Sequence, residues 1–440
     1  IREPDEGEII IKSAEDLAKI GKEEGYPLGG NYIQMSDIDL SDYNDGEGWV
    51  PIGDNTNYFT GKFDGNGFKI RNLYINRPNT NYQGLFGVIN GATITNISLE
   101  NVDVTGGTYT GGLVGSAYDS SITNSYSTGA VTGGTYTGGL VGSAYDSSTI
   151  TNSYATGSVE GGDHTGGLVG LTYNSSITNS YATGKVTGGT NTGGLVGYIQ
   201  SSSTITNSYA TGSVEGGDRT GGLVGLANYG NTISNSYATG SVTGTGSYTG
   251  GLVGYTGNST EITNSYATGS VEGIDRTGGL VGKTYNSSKI SNSYATGSIT
   301  GGNSTGGLVG RAYNSSTITN SYATGSVEGG NYTGGLVGET ANSSTISNSY
   351  ATGAVSGASS VGGLVGYNNS STITKSYWDT EASGQPESAG GTGATGLTTD
   401  QMKQEDNYNN WDFINVWQID EGNSYPYLRN NPQSPPPGTN

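Results

Sequence analysis

The chain has 440 residues, of which 80 are Gly and none is Cys, and its formal net charge at pH 7 is −20. An acidic chain without a basic stripe disfavours nucleic acid and anionic membrane surfaces as partners, and the lack of Cys excludes disulfides and thiolate chemistry. No apolar run reaches the roughly 18 residues typical of a membrane-spanning helix, so we expect no membrane insertion.

Residues 1–82 do not carry the repeat that follows, and we expect them to form an N-terminal cap. Ser13 can cap a short helix in which Asp16 supplies the return hydrogen bond, and Leu17 and Ile20 share one face of that helix. Such a cap is needed because the first layer of a stacked repeat exposes unpaired strand edges and apolar surface.

The cap also contains a run of acidic residues that are close in sequence. They are Asp37, Asp39, Asp42, Asp45 and Glu47. Hard cations bind several oxygen ligands, so these residues are the candidate calcium site, although their spacing does not match an EF-hand loop. The alternative interpretation is a solvated surface. Calcium is the only cofactor for which the sequence offers candidate ligands.

From residue 83 to residue 377 the chain repeats a unit of about 28 residues that is built on Gly-Gly-Leu-Val-Gly. A frayed copy begins at Gln83. Ten complete copies begin at Gly111, Gly138, Gly166, Gly193, Gly221, Gly250, Gly278, Gly306, Gly334 and Gly362. A period in this range is typical of a solenoid, in which each unit is one layer buried by its neighbours.

Each unit contains three short β-prone runs separated by Gly, Asn and Ser turns, which predicts one coil of three strands. The frequent Gly residues exclude a helical unit, and Leu113, Ile122 and Val131, with their copies, are expected to form the core. The sequence therefore predicts an all-β fold, a single-stranded parallel β-helix (β-solenoid) with about 28 residues per coil and with short helices in its caps.

Side-chain alternation along residues 153–160 predicts which residues point outward. Ala155 and Val159 share the parity of the small and apolar residues, whereas Tyr154 and Glu160 share the other parity. Turning Tyr154 inward would place Glu160 in the core, where an unpaired carboxylate is costly. We therefore expect the Tyr side chains to point outward.

Stacking in register would turn the outward Tyr residues into a Tyr ladder. Its members are Tyr126, Tyr154, Tyr181, Tyr209, Tyr237, Tyr266, Tyr294, Tyr322, Tyr350 and Tyr377. A flat aromatic row can stack on sugar rings or pack against another chain, so the Tyr ladder is the candidate ligand-binding surface. The alternative is that the stacked rings only stabilise adjacent coils.

Two further ladders are predicted from the same register. One consists of Asn residues whose amides bond along the stack, namely Asn124, Asn152, Asn179, Asn207, Asn235, Asn264, Asn292, Asn320 and Asn348. In the other, Thr and Glu alternate at Thr132, Glu160, Thr187, Glu215, Thr243, Glu272, Thr300 and Glu328. The alternation separates carboxylates that would otherwise repel each other at about 5 Å.

No set of residues in the sequence favours catalysis. The single His, His164, lies at a repeat position that other coils fill with Arg219 or Ser304, which is typical of an exposed turn. Glu160 and Asp163 have the residue types of a glycosidase pair, but the pair recurs in other coils and therefore fits the scaffold better. We expect a protein that is not an enzyme, with no catalytic residues.

Cations in the repeat region bear on one enzymatic alternative, because a lyase for acidic polysaccharides needs clustered positive charge. They are Lys185, Arg219, Arg276, Lys283, Lys289, Arg311 and Lys375. We interpret them as scattered over coils and repeat positions, which disfavours that activity.

Residues 378–430 break the period and are expected to form a C-terminal cap. Trp returns there at Trp411 and Trp417, and a short helix is predicted after Thr399. Residues 431–440 are Pro-rich and are predicted to be a stiff, extended linker toward further domains of the same polypeptide.

The Gly-Gly-Leu-Val-Gly unit with Ile-Thr-Asn-Ser-Tyr-Ala-Thr-Gly closely resembles the GLUG-motif repeats of bacterial and archaeal secreted or cell-surface proteins. The flanking motifs at residues 37–40, 49–53, 63–67 and 425–428 match as well. The resemblance implies a right-handed parallel β-helix that is secreted or surface-anchored and often part of an adhesin. Some relatives carry a metallopeptidase, but this chain lacks His-Glu-x-x-His, and the family has no agreed catalytic or ligand residues to transfer.

Three functions follow as hypotheses. The favoured one is a non-enzymatic extracellular β-solenoid module of a cell-surface protein, acting as adhesin or rigid stalk. The second is a carbohydrate-binding, less plausibly carbohydrate-active, module that uses the Tyr ladder. The third is a self-assembling surface-layer or filament subunit. The expected partners are extracellular polysaccharide or protein, or another copy of the chain.

Overall fold

The computed structural model describes residues 1–439, which form two compact units. The N-terminal unit is Ile1–Val214 and the C-terminal unit is Glu215–Asn440. Both are built almost entirely from short parallel β-strands, stacked as solenoid coils of about 28 residues, with few helices. The all-β solenoid predicted from the repeat is therefore confirmed.

Each coil runs through four sheets, whereas the sequence predicted three strands. In one coil, Thr137–Gly138 is followed by Val141–Tyr145, Thr149–Thr151, Tyr154–Ala155 and Val159–Glu160. The last two segments belong to the same sheet. We name the four sheets after a residue that recurs in each of them: in chain order, the Gly sheet, the Val sheet, the Ile sheet and the Tyr sheet.

The additional corner lies at the Gly-Gly pair between the Gly sheet and the Val sheet. A Cβ atom on Gly138 would lie 2.1 Å from the carbonyl oxygen of Val141, and one on Gly139 would lie 2.3 Å from that of Gly167. Because both distances are far below van der Waals contact, only Gly allows the chain to turn here and to stack on the next coil.

The strands of the N-terminal unit pair in parallel, with the same repeat position above and below, as Val114 with Val141 and Ile122 with Ile150 show. The Gly-sheet strands are Thr110–Gly111, Thr137–Gly138, Thr165–Gly166 and Asn191–Gly193, and the Val-sheet strands are Phe86–Asn90, Val114–Tyr118, Val141–Tyr145, Val169–Tyr173 and Val196–Gln200. The Ile-sheet strands are Ile9–Ile11, Asn31–Gln34, Lys62–Asp64, Thr93–Thr95, Ser121–Thr123, Thr149–Thr151, Ser176–Thr178 and Thr204–Thr206. The Tyr-sheet strands include Ile38–Asp39, Lys69–Arg71, Tyr74–Asn76, Ser98–Thr105, Tyr126–Thr132, Tyr154–Ala155, Val159–Glu160, Tyr181–Ala182, Val186–Thr187 and Tyr209–Ala210.

The C-terminal unit repeats the arrangement. Its Gly-sheet strands are Arg219–Gly221, Tyr248–Gly250, Thr277–Gly278, Thr305–Gly306, Asn331–Gly334 and Ser359–Gly362, and its Val-sheet strands are Val224–Asn228, Val253–Gly257, Val281–Tyr285, Val309–Tyr313, Val337–Ala341 and Val365–Asn369. Its Ile-sheet strands are Thr232–Ser234, Glu261–Thr263, Lys289–Ser291, Thr317–Thr319, Thr345–Ser347 and Thr372–Thr374. Its Tyr-sheet strands include Tyr237–Ala238, Val242–Gly244, Tyr266–Ala267, Val271–Glu272, Tyr294–Ala295, Ile299–Thr300, Tyr322–Ala323, Val327–Glu328, Tyr350–Ala351, Val355–Ser356, Ser376–Asp379 and Ala394–Leu397.

The N-terminal cap contains helix α1, Ala14–Lys19, and a short 3-10 helix, Ser41–Tyr43. The Oγ atom of Ser13 accepts a hydrogen bond from the amide of Asp16 over 3.1 Å, as predicted. The return bond differs slightly, because the Asp16 carboxylate accepts from the amide of Lys12. Strands of the cap pair with the first coils in the Ile and Tyr sheets, so the cap extends the stack as well as covering its end.

The interior of every coil contains the ladders predicted from the repeat. Leu at the third position of Gly-Gly-Leu-Val-Gly is 0 % exposed in each complete copy, and Ile122, Val131 and their copies are buried. The side chains of these apolar residues all point inward, so stacking on the adjacent coils buries them without contacts to distant parts of the chain. The predicted core is confirmed.

The Asn ladder lies at the turn after the Ile sheet, where Asn152 has a φ of 50°, a left-handed conformation that Asn tolerates. The Nδ2 atom of Asn152 donates to Oδ1 of Asn124 over 3.2 Å, and that of Asn179 donates to Oδ1 of Asn152 over 3.2 Å. In the C-terminal unit, Asn320 donates to Asn292 over 3.3 Å. The predicted bonding of amides along the stack is confirmed in the N-terminal unit, whereas in the C-terminal unit it is interrupted, since Oδ1 of Asn264 and Oδ1 of Asn348 accept no hydrogen bond within the described residues.

The alternation of Thr and Glu also follows the coils. In the C-terminal unit, Thr243 pairs with Glu272, Glu272 with Thr300, and Thr300 with Glu328. Carboxylates therefore lie two coils apart, at about 10 Å, which lowers their repulsion. This prediction is confirmed.

The C-terminal cap contains helix α2, Thr380–Ser383, helix α3, Thr399–Met402, and an antiparallel pair formed by Trp417–Gln418 and Tyr427–Leu428. Helix α3 begins at a capping box between Thr398 and its third residue, and it confirms the short helix predicted in this region. The turns and hydrogen bonds of the cap therefore do not recur from coil to coil, as those of the repeat do.

Residues 431–439 of the Pro-rich segment contact the C-terminal unit. The Nδ2 atom of Asn431 donates to the carbonyl oxygen of Asn292 over 3.1 Å. The carbonyl oxygen of Pro437 accepts a hydrogen bond from the amide of Tyr425 over 2.9 Å. The segment thus adds to the covering of this unit.

Candidate functional site

In the N-terminal unit the Tyr ladder lies on the outer side of the Tyr sheet. The rings of Tyr126 and Tyr154, of Tyr154 and Tyr181, and of Tyr181 and Tyr209 stack with centroids 4.7, 4.7 and 4.8 Å apart and with interplanar angles of 5° or less. All four side chains are half-buried, whereas the neighbouring Ala155 is fully buried. The rings therefore point away from the interior, as parity predicted.

This stacking determines which part of each ring a ligand could contact. Because each ring covers the face of the next, the row presents ring edges and phenol hydroxyls. Burial raises the pKa of Tyr154 and Tyr181, so both are neutral hydrogen-bonding groups at physiological pH. A sugar that stacks on a free aromatic face finds no such face between the rungs, so the surfaces that the row offers to a ligand are ring edges and hydroxyls.

In the C-terminal unit most of the Tyr ladder is buried by the C-terminal cap. Tyr294, Tyr322, Tyr350 and Tyr377 are at most 4 % exposed. The ring of Trp417 lies 6.1 Å from that of Tyr322 and 6.0 Å from that of Tyr350. The hydroxyl of Tyr350 donates to a backbone carbonyl oxygen of the cap. Four of the ten predicted binding residues are therefore core residues, and a ligand could reach them only if the cap were displaced.

The acidic residues of the N-terminal cap do not converge. Asp37 forms an ion pair with Arg71 over 3.1 Å, Glu47 forms one with Arg77, and Asp39 accepts hydrogen bonds from a backbone amide and an Asn amide. Hydrogen bonds from the amide of residue 69 and from Arg71 lower the pKa of Asp37. Over residues 1–439, no three His, Cys, Asp or Glu side chains group closely enough to hold a metal ion. The structure thus assembles no calcium site from Asp37, Asp39, Asp42, Asp45 and Glu47.

Among the residues considered for catalysis, Asp163 and His164 lie in the turn before the Gly sheet, whereas Glu160 ends a strand of the Tyr sheet. Nδ1 of His164 lies 2.6 Å from Nδ2 of Asn191, and its ring stacks on Tyr136 with centroids 4.9 Å apart. The carboxylate of Asp163 accepts hydrogen bonds from the amide and the hydroxyl of Thr190, which lower its pKa. Both side chains therefore have structural contacts in the next coil.

A cluster that sequence analysis missed lies in the C-terminal unit. Four of the seven cations of the repeat region come together there around Tyr rings, at the edge where the Gly sheet meets the Val sheet. We call this cluster the cationic strip and define it by Arg219, Tyr248, Tyr255, Arg276, Lys283 and Arg311. The interpretation of these cations as scattered is wrong, because two different repeat positions, which Arg276 and Lys283 occupy in one coil on either side of the Gly-Gly pair, are adjacent in space.

A usable signal was present in the sequence. The residue before Thr-Gly-Gly and the residue after Gly-Gly-Leu-Val-Gly are the positions of the strip, and both vary from coil to coil within a nearly constant repeat. Variation of residue type from coil to coil is typical of an exposed turn. It also indicates positions that the scaffold leaves free to carry other chemistry.

Comparison with protein families identifies the repeat. The model described as the GLUG motif matches eight segments of the chain. They are residues 106–132, 133–160, 161–187, 188–215, 245–272, 276–300, 301–328 and 329–356. These segments contain eight of the ten residues of the Tyr ladder, all but Tyr237 and Tyr377, and every residue of the cationic strip except Arg219.

Two curated proteins are similar over shorter stretches. A protein provisionally named a Gly-rich membrane protein, from Evansella cellulosilytica, is 43 % identical over 98 residues, or 21 % of this chain and 11 % of its own length. Halomucin of Haloquadratum walsbyi is 40 % identical over 126 residues, or 27 % of this chain and 1 % of its own length. The matches thus span small parts of much longer relatives.

One solved structure aligns along most of the chain. It is a protein of Bacteroides ovatus provisionally named an immunoglobulin A1 protease, with 18 % identity, coverage of 96 % of this chain and 92 % of that one, and a TM-score of 0.31. At these values the likeness carries no argument about activity. Within residues 1–439, no helix has the length and apolar character needed to cross a bilayer.

Proposed function

We propose that this chain, which belongs to the GLUG-motif repeat family, works outside the cell as a non-enzymatic β-solenoid module of a surface protein, serving as a rigid stalk or as an adhesin. The observation that carries the proposal is the continuity of side-chain hydrogen bonding from coil to coil within each unit. The names of the two relatives support the surface location, since one is called a membrane protein and the other halomucin.

A buried Ser ladder shows how the coils are held together. The Oγ atom of Ser153 accepts a hydrogen bond from the amide of Ser125 over 3.1 Å and donates to the carbonyl oxygen of Thr151 over 2.9 Å. The amide of Ser153 in turn donates to Oγ of Ser180 over 3.2 Å. Each turn is thus fixed by the next, and bending the stack would break buried hydrogen bonds that water cannot replace.

The C-terminal unit uses the same bonds. The amide of Ser265 donates to Oγ of Ser293, that of Ser293 to Oγ of Ser321, and that of Ser321 to Oγ of Ser349, over 3.2, 3.3 and 3.2 Å. A scaffold in which buried Ser side chains accept hydrogen bonds from the backbone of the adjacent coil is suited to resist force and proteolysis. These are the demands on a module that holds or presents other groups outside the cell.

The proposal is tested by displaying a reporter binding domain on cells, joined through this chain or through a flexible Gly/Ser linker of equal residue number. A stalk predicts that cells with the solenoid capture a large immobilised ligand and that the flexible linker reduces capture. An adhesin predicts that cells with the chain alone attach to polysaccharide-coated or cell-coated surfaces, with or without calcium. Equal capture with both linkers, together with no attachment by the chain alone, would contradict both roles.

A second candidate function, carbohydrate binding by the Tyr ladder, is supported only in the N-terminal unit. There four successive rings are half-buried, and their centroids are spaced 4.7 to 4.8 Å apart, which is the spacing of the coils. The double substitution Tyr154→Phe and Tyr181→Phe removes two hydroxyls but keeps the stack. Loss of binding to a polysaccharide in this variant would support the candidate, and unchanged binding would contradict it.

A further inference from the structure

The cationic strip is built from two neighbouring columns of residues in the C-terminal unit. In the Val sheet, Tyr255 pairs with Lys283 and Lys283 pairs with Arg311 on successive coils. In the Gly sheet, Arg219 pairs with Tyr248. Successive residues within each column are therefore about 4.8 Å apart, which is the coil spacing, and the two columns run side by side on one surface.

Cations and aromatic rings interleave within this strip. The guanidinium carbon of Arg276 lies 5.5 Å from the centroid of Tyr248, and that of Arg219 lies 5.8 and 5.9 Å from those of Tyr248 and Tyr255. The ammonium of Lys283 lies 5.5 Å from each of the same two rings. These distances fit cation–π attraction, which holds the positive groups over the rings and at a defined position.

Lys283 is the centre of the strip. Its ammonium also lies 5.0 Å from the ring of Tyr285 and 5.7 Å from that of Tyr313, so four Tyr rings surround it. Burial, with repulsion from Arg311 and Arg276, lowers the pKa of Lys283 to about 8. A cation whose charged form is disfavoured in the free protein gains most when an anion arrives.

The carboxylates in the strip neutralise only part of its charge. Three of its four cations have a carboxylate partner. The pairs are Asp218 with Arg219 over 3.6 Å, Asp275 with Arg276, and Glu339 with Arg311 over 3.0 Å. Among the described residues, no carboxylate lies within 4.0 Å of the Lys283 ammonium. Within the described residues, Lys283 is therefore the cation of the strip that no carboxylate pairs with, and it is the group left for an external anion on a protein that is strongly acidic overall.

We infer that the cationic strip binds an acidic polysaccharide, whose carboxylate or sulfate groups pair with Lys283 while its sugar rings lie against Tyr248 and Tyr255. Arg and Lys are the residues that recognise such oxyanions, and aromatic rings pack against the apolar faces of sugars. Unlike the rungs of the Tyr ladder, these rings are tilted or nearly perpendicular to each other, since Tyr248 and Tyr255 meet at 71°. The inference rests on the proposed extracellular function and names the ligand class of its adhesin role.

Extended polyanions of other kinds fit the strip less well. A nucleic acid would bring its phosphates close to a chain with a net charge of −20, which opposes binding outside a local cationic patch. An acidic polysaccharide offers apolar sugar-ring faces beside its charged groups. The strip has this same alternation of charge and ring.

The test is calorimetric titration of the full chain with polygalacturonate, dextran sulfate, neutral dextran and single-stranded DNA. We expect saturable binding of polygalacturonate or dextran sulfate, which also shows whether carboxylate or sulfate is preferred, and much weaker binding of dextran and DNA. Lys283→Gln should reduce the affinity for the acidic polysaccharide by roughly tenfold, since a charge-assisted hydrogen bond is lost. Lys289→Gln is the matched control, because Lys289 is an exposed cation of the same coil in the Ile sheet, and it should change the affinity less than about twofold.

Three results would overturn the inference. They are no binding of either acidic polysaccharide, binding of DNA as tight as that of the polysaccharide, and an equal loss of affinity in the two Lys variants. Thermal unfolding of each variant, monitored by circular dichroism, shows that the loss does not come from unfolding. None of these results touches the stalk role, because capture through a displayed reporter domain does not depend on a polysaccharide ligand.

Discussion

The Tyr ladder has the same geometry in the two units and opposite surroundings. Tyr154 and Tyr181 stack at 4.7 Å and are half-buried, whereas Tyr322 and Tyr350 stack at 5.0 Å and are 0 % exposed. The difference comes from residues outside the repeat, since the C-terminal cap folds back along the ladder and covers it. A repeat position thus determines where a side chain points, and non-repeating residues determine whether it becomes surface or core.

The largest expected effect on stability comes from removing Trp417, which covers the Tyr ladder in the C-terminal unit. Trp417 is completely buried, and its ring lies 4.5 Å from that of Trp411. Trp417→Ala should destabilise the C-terminal unit by about 4 kcal/mol, because it removes buried aromatic area and leaves a cavity against Tyr322 and Tyr350. Urea unfolding followed by the fluorescence of the remaining Trp residues measures it. A change below about 1 kcal/mol would mean that the cap does not hold the ladder.

A matched pair of substitutions at one repeat position tests the comparison directly. Tyr350→Ala should cost about 3 kcal/mol because the residue is core. Tyr181→Ala should cost about 1 kcal/mol because only ring stacking and partial burial are lost. Hydrogen exchange of each unit, measured by mass spectrometry, separates the two effects. Equal costs would show that the ladder has the same role throughout.

High pH should affect the two units in a defined order. Burial raises the pKa of Tyr322 and Tyr350 well above the ordinary value, and it raises that of Tyr154 less. Below pH 10 these Tyr residues are neutral in both the folded and the unfolded chain, so they add no pH dependence. Above pH 10 the unfolded chain ionises first, and the folded state loses stability, chiefly in the C-terminal unit. Circular dichroism and hydrogen exchange between pH 9 and 12 check this order, and earlier opening of the N-terminal unit would contradict it.

Sequence reasoning succeeded where the physical cause lies within one repeat. Leu113, Ile122 and Val131 could be placed in the core because their parity and their period depend only on neighbours one coil away. Burial of Tyr322 could not be predicted, because its contacts come from residues far along the chain, such as Gln433, whose side chain accepts from its hydroxyl across 111 positions. No local pattern encodes such a contact.

The cationic strip was missed for a different reason. Arg219 and Tyr255 are 36 positions apart and occupy different places in the unit, so a comparison of equivalent positions does not align them. Their proximity depends on the corner that the Gly-Gly pair makes between two sheets. The prediction of three strands per coil omits this corner and therefore places the two columns apart. A four-sided coil drawn from the sequence would have placed them together.

The smallest expected effect concerns the pH dependence of polysaccharide binding by the cationic strip. Since the pKa of Lys283 is lowered to about 8, its charge is lost as the pH rises from 7 to 9, and affinity should fall severalfold over that range. The other charged or titratable groups around it are Arg219, Arg276, Arg311, Asp275, Glu339, Tyr248, Tyr255, Tyr285 and Tyr313. Lys283→Arg, which stays protonated, should abolish the decline. A decline of the same size in this variant would assign the titration to another group.

The central claim is that this chain is a surface module with the Tyr ladder accessible in one unit and covered in the other. The most direct measurement treats intact cells of the source organism with a membrane-impermeant reagent specific for Tyr, followed by mass spectrometry of the chain. We predict modification of Tyr154 and Tyr181 on intact cells, with Tyr322 and Tyr350 unmodified until the protein is denatured. Absence of labelling until the cells are lysed would contradict the surface location, and equal labelling of all four residues would contradict the covered ladder.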